Sequence, residues 1–102
     1  MKALIALFAG TALTATAGFV LARDLGPDEA LQLRDTGTIE SFETLNAAAL
    51  ALHPGGRIEE SELEEEYGRY IYQLEVRDAQ GVQWDIELDA SNGQVLKNQQ
   101  DD

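Results

Sequence analysis

Two runs of alternating residues flank one tight turn, and together they set a strand register. Tyr70, Tyr72, Leu74 and Val76 alternate with Arg69, Ile71, Gln73, Glu75 and Arg77. Val82, Trp84, Ile86 and Leu88 alternate with Gln83, Asp85 and Glu87. The two-residue period of a strand puts each set on one face. Between the runs stands Asp78-Ala79-Gln80-Gly81. It suits a type I turn followed by a left-handed Gly81, a three-residue hairpin loop. That loop pairs Asp78 with Val82. Counting back sets Val76 opposite Trp84, Leu74 opposite Ile86 and Tyr72 opposite Leu88. A slip of one residue would throw these apolar partners onto opposite faces, so turn and pattern agree. On the other face the same register sets Glu75 opposite Asp85 and Gln73 opposite Glu87.

The sheet extends on both sides of this hairpin. Ala90-Ser91-Asn92-Gly93 repeats the turn logic and returns a short last strand over residues 94–97, with Leu96 opposite Leu88. Residues 99–102 read as a frayed tail. Tyr67-Gly68 makes a two-residue turn into residues 58–66 and places Leu63 inward opposite Tyr72. Ile58 then faces outward unless a bulge intervenes. Upstream, Pro27 with Asp28 and Glu29 opens a short helix that Gly37 ends. Ser41 caps a second helix whose Phe42, Leu45, Ala48, Ala49 and Leu52 recur at three- and four-residue spacing. Pro54-Gly55-Gly56 stops it. The expected fold is α+β: two N-terminal helices packed on one face of a four-stranded antiparallel β-meander, preceded by a lead-in over residues 23–26.

The N-terminus reads as an export signal, with Lys2 ahead of an uncharged stretch over residues 3–20 and a small-residue site at Val20-Leu21-Ala22. The expected division is a signal over 1–22 and one domain over 23–102. Ala15-Thr16-Ala17 is a second cleavage candidate, and an uncleaved transmembrane anchor is the alternative. After cleavage no membrane anchor is expected, and the location is periplasmic or secreted. The 102 residues contain no cysteine, which removes disulfide and thiolate chemistry. They carry 7 Lys+Arg against 19 Asp+Glu, a net charge of -12. That balance argues against nucleic acid and against anionic lipid, both of which are held by basic residues.

Several segments in order resemble a known family. They are His53-Pro54-Gly55-Gly56, Glu62-Leu63-Glu64, Gly68-Arg69-Tyr70-Ile71-Tyr72, Asp78-Ala79-Gln80-Gly81 and residues 89–96. Together they resemble a PepSY domain over about residues 26–96. The resemblance implies a small exported module that inhibits or modulates peptidases, or acts in extracytoplasmic regulation, with no catalytic residues to carry over. With no peptidase attached to this chain, action on a separate peptidase or sensor protein is expected.

The residues themselves argue against an enzyme. Acyl transfer needs a nucleophile, a base and an orienting group, and the one histidine, His53, stands at a helix end. There it is expected to cap free carbonyls. No phosphate-binding glycine motif occurs, no cofactor is called for and no metal ligand set is assigned. The acidic run Glu59, Glu60, Glu62, Glu64, Glu65 and Glu66 lacks the curved loop that calcium favours. It reads as a solvated edge strand protected against aggregation. Four residues form the candidate partner-binding set. Glu75, Asp85 and Glu87 crowd like charges on the outer sheet face, and Tyr67 is an aromatic at a hairpin tip. The leading function is a non-enzymatic binding or regulatory module. The alternative is a low-affinity divalent-cation binder using the acidic strands.

Overall fold

The computed structural model describes residues 22–101. The export-signal reading of residues 1–22 lies outside the described residues, Ala22 excepted. The elements in chain order are β1 (Ala22–Asp24), α1 (Pro27–Asp35), α2 (Phe42–Ala51), β2 (Arg57–Glu66), β3 (Arg69–Arg77), β4 (Gln83–Asp89) and β5 (Val95–Gln100). The strands form one antiparallel sheet in the order β1-β2-β3-β4-β5. The α+β class stands as expected.

The central hairpin forms in the expected register. Val76 pairs with Trp84, Leu74 with Ile86, Tyr72 with Leu88, Glu75 with Asp85 and Gln73 with Glu87. Asp78 N–H donates to the Val82 carbonyl at 2.8 Å, and Gly81 is left-handed at φ 85. The Asp78 carboxylate accepts from the N–H groups of Gln80 and Val82, which locks the loop from inside. Leu63 faces Tyr72 as expected. The Tyr67-Gly68 turn has φ 53 and φ 78, the two left-handed residues that a type I′ hairpin requires.

Two expectations for the sheet need correction, and the open alternative at Ile58 is resolved by a bulge. The sheet has five strands rather than four, because Ala22, at the end of the expected signal, and Arg23 and Asp24 of the lead-in pair with Glu66, Glu65 and Glu64. Leu25 N–H then donates to the Leu63 carbonyl at 2.8 Å. Three residues are too few to display a period, so only the open side of β2 makes them a strand. The register between β2 and β3 shifts between Ile58 and Glu60, leaving Glu59 as a bulge. Ile58 therefore pairs with Val76 and packs against the core. The register between β4 and β5 also shifts, between Glu87 and Leu88. Val95, not Leu96, stands opposite Leu88, and the supposed tail residues Gln99 and Gln100 pair with Asp85 and Trp84.

The core lies between α2 and the inner face of the sheet. Leu45 and Ala49 of α2 are fully buried with Val76, Leu88 and, almost as deeply, Ile86. Each large side chain removed from water in this way contributes about 1.5–3 kcal/mol. Ala49 lacks bulk, which lets the helix lie close to the strands. Ser41 Oγ accepts from Thr44 N–H at 3.1 Å, satisfying one of the orphan donors of the first turn. The packing of Phe42 on Tyr72 closes the N-terminal end, with ring centroids 5.5 Å apart.

His53 does not cap α2 with its side chain as expected. Its imidazole lies against Trp84 with centroids 4.3 Å apart, and Nε2 bonds Asn98 Oδ1 at 2.8 Å. The main-chain carbonyl of His53 accepts from Gly56 N–H at 2.9 Å. Trp84 Nε1–H donates to Asp78 Oδ2 at 2.9 Å, tying this corner to the β3–β4 loop.

Candidate functional site

The face of the sheet turned away from the helices carries most of its residues in three cross-strand rows. The first row runs Glu60, Glu75, Asp85, Gln99 from β2 to β5. The second runs Glu62, Gln73, Glu87, Lys97. The third runs Asp24, Glu64, Ile71, Asp89 from β1 to β4. Carboxylates directly opposite each other are unfavourable partners, and the first row has three in succession. The pleat puts all of them on one side, because Leu63, Tyr72 and Leu88 take the other.

Among the described residues no arginine forms an ion pair with the first row. Arg77 pairs with Glu59 at 3.1 Å and bonds the Gly81 carbonyl and Gln83 Oε1. Arg69 stands 3.8 Å from Asp89. Among the described residues Glu75, Asp85 and Glu87 have no ion pair within 4.0 Å. Gln83 Nε2 donates to Glu75 and, at 3.0 Å, to Asp101. Gln73 Nε2 donates to Glu64 at 2.8 Å. Neutral amides thus hold carboxylates in place without cancelling their charge.

The crowding appears in the proton affinities. The Glu75 carboxyl is raised above its ordinary pKa by a hydrogen bond to Glu60, then by desolvation and by the charges of Glu60, Asp85 and Asp101. Glu64 is raised by desolvation, then by a hydrogen bond to Asp24 and by the charges around it. Asp89 moves the other way, lowered by the Ser91 hydroxyl and backbone N–H. A depression of about 250 Å³ lies at the centre of the face, between Glu60, Glu62, Glu75, Asp85 and Glu87, with Lys97 on its border. Its chemistry suits a cationic group. Ile71 lies in the third row but is only 6% exposed, a small apolar floor beneath the acidic surface.

The four residues singled out from sequence do not form one patch. Glu75, Asp85 and Glu87 stand together in the first two rows. Tyr67 is 68% exposed at the β2–β3 turn, beyond Arg69. Six residues of strand separate Arg69 from Glu75, roughly 20 Å. Sequence reasoning missed Asp24, Glu60, Glu62 and Glu64 as members of the same face. Glu62 and Glu64 were within reach, since both alternate with Leu63. Glu60 needed the bulge, and Asp24 needed β1.

A family model described as "Peptidase propeptide and YPEB domain" (PepSY) matches residues 41–98, from the cap of α2 into β5. The chain belongs to the PepSY family. This PepSY domain is also 40% identical over 48 residues to the uncharacterized protein YkoJ of Bacillus subtilis (strain 168). That match covers 47% of this chain and 28% of the relative, so the chain spans well under half of the relative's length. No solved structure matches. The family is one of extracytoplasmic, propeptide-like regulatory modules. Among the described residues no helix is long and apolar enough to cross a membrane. The carboxylates of the first two rows of the PepSY domain fall inside the family match, whereas β1 and α1 precede it.

Proposed function

We propose that this chain is an exported, non-catalytic module that modulates a peptidase or a sensor protein in the periplasm or outside the cell. It meets a basic surface of that partner through the acidic outer face, with Glu75, Asp85 and Glu87 at the centre. Tyr67 is a second, separate contact. Residues 1–22 are removed on export. The observation that supports this reading most is the row Glu60, Glu75, Asp85, three carboxylates in cross-strand succession with no ion pair among the described residues. Such a row costs the isolated domain stability, and a basic partner converts the repulsion into attraction. Charge of one sign also steers encounter and makes association salt-dependent.

The test is an inhibition and association assay of residues 23–102 against secreted metallopeptidases at low and high salt. Slowed hydrolysis or salt-sensitive association is expected from the wild type. The charge-reversing pair Glu75→Lys with Asp85→Lys should weaken association, slow its rate and flatten its salt dependence. Unchanged binding by that pair removes the outer face from the reading.

A second reading, binding of a divalent cation, is favoured by one observation. Carboxylate oxygens of Asp24, Glu62 and Glu64 lie within 4.8 Å of one another. Calcium or magnesium would then raise the melting temperature of the wild type and leave Glu64→Gln unmoved. A wild-type melt indifferent to both ions ends this reading.

A further inference from the structure

β2 is only half covered on its outer side. β1 pairs with residues 64–66, Leu25 continues to Leu63, and the chain then leaves the sheet for α1. Over residues 57–62 the far side of β2 has no strand neighbour among the described residues. Because the Leu63 carbonyl points to that side, the two-residue period turns the peptide N–H and C=O of Ser61 the same way. Glu60, Ser61 and Glu62 are all exposed.

The two faces of this open stretch differ in chemistry. On the inner side a groove of about 330 Å³ runs beside it, walled by the apolar Leu25, Pro27, Ala30, Phe42, Leu63 and Tyr72 and lined also by Asp24, Ser61 and Glu62. On the outer side stand Glu60 and Glu62, with Asp24 and Glu64 next to them. A strand added here would place alternate side chains in the apolar groove and beside the carboxylates.

We propose that the open edge of β2 around Ser61 binds an extended segment of the partner in which basic and apolar residues alternate, the apolar ones seated between Phe42 and Leu25 and the basic ones against Glu60 and Glu62. The inference rests on the reading of the partner as basic and adds the form in which it presents its charge. Charge complementarity selects this occupant. A second copy of the chain paired through the same edge would bring Glu60 and Glu62 against their own kind, which acidic edges disfavour. The bulge at Glu59 ends the regular edge on one side and Leu25 ends it on the other, so the segment is short. The walls formed by Leu25 and by Pro27 and Ala30 of α1 lie outside residues 41–98, the region that matches the family model.

The experiment measures binding of short capped peptides to residues 23–102 by isothermal titration calorimetry. The probe is a peptide of alternating lysine and valine. Controls are a peptide of the same composition with lysines and valines in separate blocks, and one alternating glutamate and valine. In antiparallel pairing the valine amides face Ser61, so methylating their nitrogens should weaken binding about tenfold per amide, while methylated lysine amides are tolerated. Parallel pairing exchanges the two sets, and sensitivity of one set alone is the expected signature. Ser61→Pro, which an edge strand accommodates, should weaken the alternating peptide in the same way. Equal binding of the alternating and block peptides, with no effect of methylation in either set, overturns the edge inference and leaves the acidic face as a general cation surface. Failure of both lysine peptides to bind at low salt overturns the edge inference and the reading of a basic partner together.

Discussion

Gly56→Ala tests why the turn after α2 carries two glycines. Gly55 is left-handed at φ +84, a conformation that disfavours any side chain. The case of Gly56 is different, because space rather than φ is limiting. A Cβ there would lie 2.9 Å from the His53 carbonyl oxygen, 3.0 Å from the Arg77 carbonyl oxygen and 3.2 Å from Val76 Cγ1. Two of these atoms are backbone. The first already accepts the Gly56 N–H, and Val76 is fully buried against Leu74 and Trp84 neighbours in the core. None can withdraw without moving the end of β3 or the helix terminus. Inserting a methyl group into such a site costs about 1–3 kcal/mol. The lower entropy of the unfolded alanine chain returns about 0.4–1 kcal/mol. A net loss of roughly 1–2 kcal/mol is expected, from a total of about 4–12 kcal/mol for a domain of this size. Urea unfolding read by Trp84 fluorescence measures it, and the probe is apt because this single tryptophan packs on His53. Gly26→Ser is the control. Nothing lies within 4 Å of a Cβ there, and Gly26 caps α1 without a side-chain bond, so a gain of a few tenths of a kcal/mol is expected. A Gly56→Ala midpoint equal to wild type would refute the argument from close approach.

The other predictions concern the acidic face, the tryptophan corner and processing. The folded Glu75 carboxyl is raised by its bond to Glu60, so the stability it contributes is full below the unfolded value near ~4.3 and is lost as pH rises through the folded value. Glu75→Gln should therefore gain on wild type as pH climbs from acid toward neutral, and urea midpoints that stay parallel across that window would contradict this. Asp89 is lowered, so Asp89→Asn should lose stability at neutral pH and match wild type in strong acid, read in the same series. Trp84→Ala removes the His53 contact and the bond to Asp78, and its half-burial sets the loss near ~3 kcal/mol, the lower end for such truncations, measured by far-ultraviolet circular dichroism. N-terminal sequencing of the exported protein should find Arg23 first, and an intact chain in the membrane would reverse that expectation.

The sequence by itself determined whatever rests on neighbours in the chain. The Asp78–Gly81 loop is set by a short side chain that bonds its own backbone and by a glycine free to turn left-handed. From there the period of two carries the register to Tyr72 and Leu88 without further information. The Ser41 cap and the left-handed Gly55 after α2 are local in the same sense. The opposition of Glu75 and Asp85, and the place of Glu87 beside them, followed from that register alone. The tertiary structure decided what depends on partners distant in the chain. Residues 22–24 are a strand only because β2 offers them an unpaired edge, and no three-residue pattern encodes that. At the Glu59 bulge the core overrules the count, since packing Ile58 against it outweighs one broken ladder step, and an extra residue at Leu96 sets Val95 opposite Leu88. His53 left its expected capping role for Trp84 and Asn98, residues on strands far along the chain. The full acidic face needed two of these outcomes, β1 for the third row and the Glu59 bulge for the first. Asp24 reaches Glu64 through β1, as Glu60 reaches Glu75 through the bulge. Long-range pairing energy, not local propensity, therefore assembled the full acidic surface and the half-covered edge beside it.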